Sequence, residues 1–163
     1  HAKLANTCIG PHCKLSGEVS NTIITGFSNK AHNGFIGHSI IGEWVNLGAN
    51  TNTSDLKNNY SKVKIFTKKD DFIDTGKMFI GSIIGDFTRT AIGTKLNTGT
   101  YIGVGSNLFD DGFQDKFIPS FSWGKNDRVG LNRFIKSIDK AMNRRNCKMP
   151  DTLKNRIITI YKK

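Results

Sequence analysis

The chain has 163 residues, 37% of them hydrophobic and 23% charged, which is enough apolar material for one packed domain and too much for a disordered polymer. No run approaches the roughly 18 apolar residues of a membrane-spanning helix, and the N-terminal stretch lacks the apolar segment of a signal peptide. The net charge of +11 is uneven: residues 1–124 hold 12 Lys/Arg against 10 Asp/Glu and residues 125–163 hold 12 against 3, which argues against a whole-domain nucleic-acid binder and sets off a basic C-terminal appendage.

In chain order, the first signal is a loose six-residue pattern. Ile9 is followed four residues on by Cys13, Leu15 by Val19, Ile41 by Val45 and Leu47 by Thr51. Residues 52–77 break this register. They are polar, with an apolar patch at Val63, Ile65 and Phe66, and read as a loop with a small hairpin projecting from the body. From residue 78 the pattern is strict. Met78, Ile84, Thr90, Leu96, Ile102 and Leu108 lead successive hexads, and Ser82, Thr88, Thr94, Thr100, Ser106 and Gly112, all small, follow four residues later. After Trp123-Gly124 the spacing turns helical. Leu131, Phe134, Ile135, Ile138, Ala141 and Met142 predict an amphipathic helix over 127–145, capped by Asn126 or Asp127. Pro150 opens a second helix through about Tyr161, with Leu153, Ile157 and Tyr161 on one face.

A period of six fits neither an α-helix nor an alternating strand. It fits a triangular solenoid in which each hexad makes one short strand and one turn. Three hexads then close a coil of about 18 residues, and coils stack at roughly 4.8 Å. The aliphatic leader points into the prism and the small residue fits the corner. On this geometry Met78 lies under Leu96, Ile84 under Ile102 and Thr90 under Leu108. The prism occupies residues 1–124, with the loop 52–77 projecting from it. The helices of 125–163 are expected to cover its open end, because a bare terminal coil exposes unpaired strand edges.

Three cysteines, Cys8, Cys13 and Cys147, with no CxxC pair, argue against a disulfide framework and fit a reducing compartment. No spacing forces Cys8, His12, Cys13 and His32 into a tetrahedral set, and His12, His32 and His38 would have to converge across an irregular corner, so no metal is expected. The pairs Asp70-Asp71 and Asp110-Asp111 lie in loop contexts. The densest cluster of chemistry-bearing residues runs from Ser28 through Lys30, His32, Phe35 and His38 to Asn46 and Thr51. Ile36 to Ile41 spans five residues rather than six, so one coil onward from His32 is Ala49. His32 and the Gly48-Ala49 backbone are therefore expected to be neighbours, where free amides could hold a developing negative charge.

That segment resembles the acetyltransferase half of the GlmU-type bifunctional enzymes, which join a glucosamine-1-phosphate N-acetyltransferase to an N-acetylglucosamine-1-phosphate uridyltransferase. His32, Phe35, Ile36-Gly37, Ile41-Gly42, Val45-Asn46, Leu47-Gly48-Ala49 and Thr51 fill the slots of the family pattern. The run GEWVNLGANTNTSDLKNNYSKVKI, with KFIPSFSWG at 116–124, is similar to an alternate branch of GlmU-like sugar nucleotidyltransferases. The resemblance implies an all-β, left-handed parallel β-helix with two C-terminal α-helices, a homotrimer and a cytoplasmic location. It implies acetyl transfer from acetyl-CoA to the amine of an amino-sugar 1-phosphate, with His32 as general base. Lys30, Phe35, Asn46, Asn59 and Tyr60 would hold the sugar phosphate, and Ala49 and Ile92 would line the acetyl-CoA groove. Arg144-Arg145 with Lys148 could attract the coenzyme's 3′-phosphate or an anionic surface. The chain departs from the family where a Tyr is Phe35, a Gly is Asn50, a Ser is Ile92 and an Asp is His38. The alternative is an inactive trimerisation and regulatory module of a nucleotidyltransferase, because residues 1–163 contain no Gly-rich nucleotide loop.

Overall fold

The computed structural model describes residues 2–68 and 70–163. Its strands are short and mostly parallel, and they wind into a left-handed β-helix of triangular section followed by two helices. One face, B, is a single six-stranded sheet of Cys8–Ile9, Ile23–Ile24, Ile40–Ile41, Ile83–Ile84, Tyr101–Ile102 and Phe117–Ile118, one strand per coil. Its register aligns Ile9, Ile24, Ile41, Ile84, Ile102 and Ile118 in one inward column. Alternation sends Cys8, Ile23, Ile40, Ile83, Tyr101 and Phe117 outward. Face C stacks Lys14–Leu15, Asn29–Lys30, a bridge at Asn46, Arg89–Thr90, Asn107–Leu108 and Ser122–Trp123. Face A holds Ala2–Ala5, Gly17–Ser20, Phe35–Gly37, Asn52–Thr53 and Lys95–Leu96. At the step from Phe35–Gly37 to Asn52–Thr53, side chains replace backbone acceptors: Asn52 Oδ1 accepts from Phe35 N and Thr53 Oγ1 from Gly37 N.

The expected stacking of Ile84 on Ile102 and of Thr90 on Leu108 is present. Met78 does not underlie Leu96. Leu96 stacks on Thr53, and Met78 is 47% exposed. The reason is that Asn52 and Thr53 belong to the prism rather than to the projecting loop, so the insertion starts after them and Met78 lies on its returning limb. The insertion leaves at Asp55, forms an antiparallel hairpin of Lys64–Phe66 with Phe72–Asp74, and rejoins where Ile80 N bonds Asp55 O. The small corner residues have a second use beyond size. Ser28 Oγ donates to Gly42 O and accepts from Val45 N, and Ser39 Oγ donates to Gly37 O and accepts from Ser82 N. These hydroxyls satisfy buried amides that a tight turn leaves without a ladder partner.

The B–C corner carries a feature that the hexads do not announce. His12, Phe27, Trp44, Phe87 and Phe121 occupy it, each with φ between 51 and 65°. Their rings stack: His12 on Phe27 at 4.7 Å, Phe27 on Trp44 at 4.4 Å and Trp44 on Phe87 at 6.4 Å. In the fifth coil the corner residue is Gly105 (φ +70°), and a Cβ there would meet the Phe134 ring at 2.6 Å. Phe134 fills this gap edge-on between Phe87 and Phe121.

Phe134 belongs to the first helix, α1 (Leu131–Asn143); the second, α2, is Asp151–Tyr161. Phe134, Ile138 and Met142 of α1 and Ile157 of α2 bury against the corner aromatics, with Leu153 and Tyr161 packed beside them. The helices therefore line a flank of the prism instead of closing its end, because the continuous apolar surface is the aromatic corner. From Phe134 beside Phe121, α1 runs back past Arg89, whose Nη1 donates to Ser137 Oγ. Beyond its end, Arg145 reaches Asn29 Oδ1 and His12 O. Helix α1 also starts later than the spacing predicts. Its N-cap is Gly130 without a side-chain cap, since Asp127–Arg128 pairs antiparallel with Ser122–Trp123. Pro150 precedes α2 as its N-cap residue.

Candidate functional site

The C–A corner has the same left-handed turns with little to cover them. Its levels are Gly17, Gly34, Asn50, Gly93 and Gly112, all at positive φ. Three successive turns here carry His32, Ala49 and Ile92. Asn50 N donates to Asn33 O at 2.9 Å and Gly93 N to Ala49 O at 2.8 Å, so the turns stack one per coil, and the residue level with Ala49 is Asn33, one position after His32. His32 is exposed and, among the described residues, its imidazole has no hydrogen-bond partner. The Ala49 and Ile92 amides make no bond within the described chain, whereas Gly48 N–H is taken by Thr90 Oγ1. Ile92 is 80% exposed. The corner thus carries an exposed imidazole on one turn and an open amide donor on each of the next two.

Lys30 lies inside the prism. It occupies the inward register between Leu15 and Leu47, is 2% exposed, and its Nζ donates to Ser16 O and to His32 O at 2.8 and 2.9 Å. Burial pushes its ammonium below the ordinary lysine range. Its visible task is to tie the His32 turn to the coil beneath. Phe35 begins the adjacent face A strand and is half-buried. Asn59 and Tyr60 are on the insertion, which springs from the A–B corner across face A from His32. Asn59 Oδ1 accepts from Ser61 N, and Tyr60 is 68% exposed. Asn46 faces outward on face C, in a groove beneath α1 that it shares with Asn29 and Arg89. His32, Ala49 and Ile92 thus lie on successive turns of one corner, whereas Asn46, Asn59 and Tyr60 lie elsewhere on the surface of this chain.

A second histidine forms a pair that the sequence reading did not make. His38 Nδ1 lies 2.7 Å from Asp55 Oδ2, with the ring 5.1 Å from that of Phe79. With Nδ1–H donated to the carboxylate, Nε2 is left as acceptor, the orientation of a carboxylate-supported base. The usable signal was the spacing: 38 and 55 are one coil apart, as are 29 and 46. Among the described residues no group of three His, Cys, Asp or Glu side chains could hold a metal, the three cysteines are free, and no helix is long and apolar enough to cross a membrane.

No family model matches the chain. It is similar to curated proteins described as bifunctional. With "Bifunctional protein GlmU" of Methanococcus aeolicus it shares 31% identity over 121 residues, which cover 71% of this chain and 28% of that protein. With the same-named protein of Methanocaldococcus jannaschii identity is 35% over 65% of this chain and 24% of the relative. With the "Bifunctional sugar-1-phosphate nucleotidylyltransferase/acetyltransferase" of Sulfurisphaera tokodaii it is 32% over 56% of the chain and 23% of the relative. The chain spans about a quarter of the length of these relatives. It is a relative of GlmU-type proteins, consistent with a GlmU-like C-terminal half.

Proposed function

We propose that this chain is the acetyl-transferring part of a GlmU-like protein, moving acetyl from acetyl-CoA to the amine of an amino-sugar 1-phosphate. The observation that carries the reading is the stack of the turns that carry His32, Ala49 and Ile92 at an uncovered corner, where the Ala49 and Ile92 amides have no partner in the described chain. His32 takes the proton of the attacking amine as the new N–C bond forms. The Ala49 and Ile92 amides meet the oxyanion of the tetrahedral intermediate. Collapse breaks the C–S bond and releases coenzyme A as the thiol or thiolate. Lys30 keeps the His32 turn in place through its carbonyl. Phe35 flanks the turn along face A, while Asn46 lies away from it in the groove beneath α1. Asn59 and Tyr60 reach a sugar phosphate only if a neighbouring subunit presents its insertion. That demand fits a homotrimer joined through face B, whose outward column is apolar, with Ile23 and Ile40 each 49% exposed. The three free cysteines suit a cytoplasmic setting.

The test is acetyl-CoA turnover followed by thiol release, with glucosamine 1-phosphate as first acceptor. His32→Ala is expected to abolish turnover while circular dichroism and the melting temperature stay unchanged; equal turnover in that variant removes His32 from the mechanism. A second reading, an inactive trimerisation and regulatory scaffold, is favoured by Ile92, whose bulk stands exposed where the family has a Ser. Turnover separates the two, since the scaffold releases no thiol from acetyl-CoA in the presence of the acceptor.

A further inference from the structure

We infer that the groove between face C and α1 is a separate binding site for a diphosphate group. Its volume is about 580 Å3, the size of a nucleotide pocket, and it is a cleft rather than the open surface along which a nucleic acid lies. Lys14, Arg89, Lys140, Arg144 and Arg145 line it, and no Asp or Glu does. The ion pairs among the described residues are Lys3–Glu18 and His38–Asp55, so none of these five cations has a carboxylate partner. Two of them are nonetheless held in place by neutral groups: Arg89 by Ser137 Oγ at 2.8 Å, and Arg145 by Asn29 Oδ1 at 2.9 Å. Burial pushes the Arg89 guanidinium below its ordinary value, so its charge is poorly hydrated. Fixed guanidinium forks without a counter-charge suit phosphoryl oxygens, which accept two N–H bonds from one fork.

The rest of the lining agrees. Asn29 and Asn46 put side-chain amides on the floor, and Phe27 and Trp44 give one apolar wall where a sugar or base can rest. Residues 137, 140, 141 and 144 face the groove at helical spacing, so the site exists only because α1 lies along the flank. It opens toward the B–C side of face C, while His32 stands at the C–A corner. The inference therefore holds whether or not His32 transfers an acetyl group.

Inorganic pyrophosphate, a nucleoside diphosphate and coenzyme A all carry this chemistry. Isothermal titration of the whole chain at low salt with pyrophosphate, ADP, coenzyme A and a single-stranded oligonucleotide distinguishes the sources. Binding is expected to weaken as salt rises. It should fall about tenfold or more in Lys140→Glu/Arg144→Glu, both at exposed positions, and more mildly in Arg144→Gln, which keeps helix size. His32→Ala should leave it unchanged. Equal affinity for pyrophosphate and ADP assigns the groove to the diphosphate alone; ADP about tenfold tighter adds the nucleoside, and coenzyme A tighter still adds its 3′-phosphate. The inference is overturned if no diphosphate binds at about 1 mM, if the double variant binds as well as the native chain, or if the oligonucleotide binds more tightly than ADP.

Discussion

At the B–C corner the left-handed positions are held by His12, Phe27, Trp44, Phe87 and Phe121; at the C–A corner they are held by Gly17, Gly34, Asn50, Gly93 and Gly112. A non-glycine residue at positive φ costs on the order of 1 kcal/mol, so the aromatic corner begins at a disadvantage. Each ring contact returns about 0.5–1.5 kcal/mol beyond its buried area, and the column attracts α1 and α2 as well. The C–A corner avoids that strain at every level but Asn50 and has no rings to stack, so the Ala49 and Ile92 amides and the His32 ring stay bare. One turn geometry thus yields a packed seam where its side chains are large and an open edge where they are absent.

Substitutions test this division in descending order of effect. Phe134→Ala empties the gap at Gly105 and should cost about 3–5 kcal/mol in urea unfolding, with loss of α1 docking visible in near-ultraviolet circular dichroism. Trp44→Ala removes contacts with Phe27 and Phe87 and should cost about 1–3 kcal/mol. An equal cost at His32 would refute the contrast, since His32→Ala should change stability by no more than about 0.5 kcal/mol. Lys30→Met probes the interior beneath the bare corner. Burial lowers the Lys30 ammonium from its ordinary 10.5, so between its folded value and 10.5 the unfolded chain binds more protons. The native chain should therefore gain stability over Lys30→Met as pH rises toward 10.5, and a difference independent of pH would contradict a buried, charged Lys30.

Much of this molecule was legible in its sequence. The hexads gave the inward columns, because a six-residue strand-and-turn unit leaves few alternatives; for the corner turn they were one residue out, since Asn33 rather than His32 is level with Ala49. The position of Met78 was misjudged because a 26-residue insertion restores the register without restoring the stacking partner: the coil's third side is Asn52–Thr53. The flank packing of α1 was hidden because His12, Phe27, Trp44, Phe87 and Phe121 recur at unequal intervals, and the decisive residue, Gly105, is conspicuous only as a missing ring. Lys30 is expected at the sugar phosphate, yet the register places it inward between Leu15 and Leu47. The His38–Asp55 pair could have been found from the one-coil spacing, had that interval been applied to charged residues as it was to aliphatic ones.

A solenoid in which each coil touches only its neighbours behaves like a one-dimensional chain, liable to fray from either end. Here a single rigid strut anchors Phe134 beside Phe121 in the last coil, and just past its C-terminal end Arg145 grips the backbone of His12 in the first. Fraying at one end must therefore release the other. The six coils are expected to melt in one cooperative step, with amide-exchange protection that is level along the axis rather than decaying toward its ends.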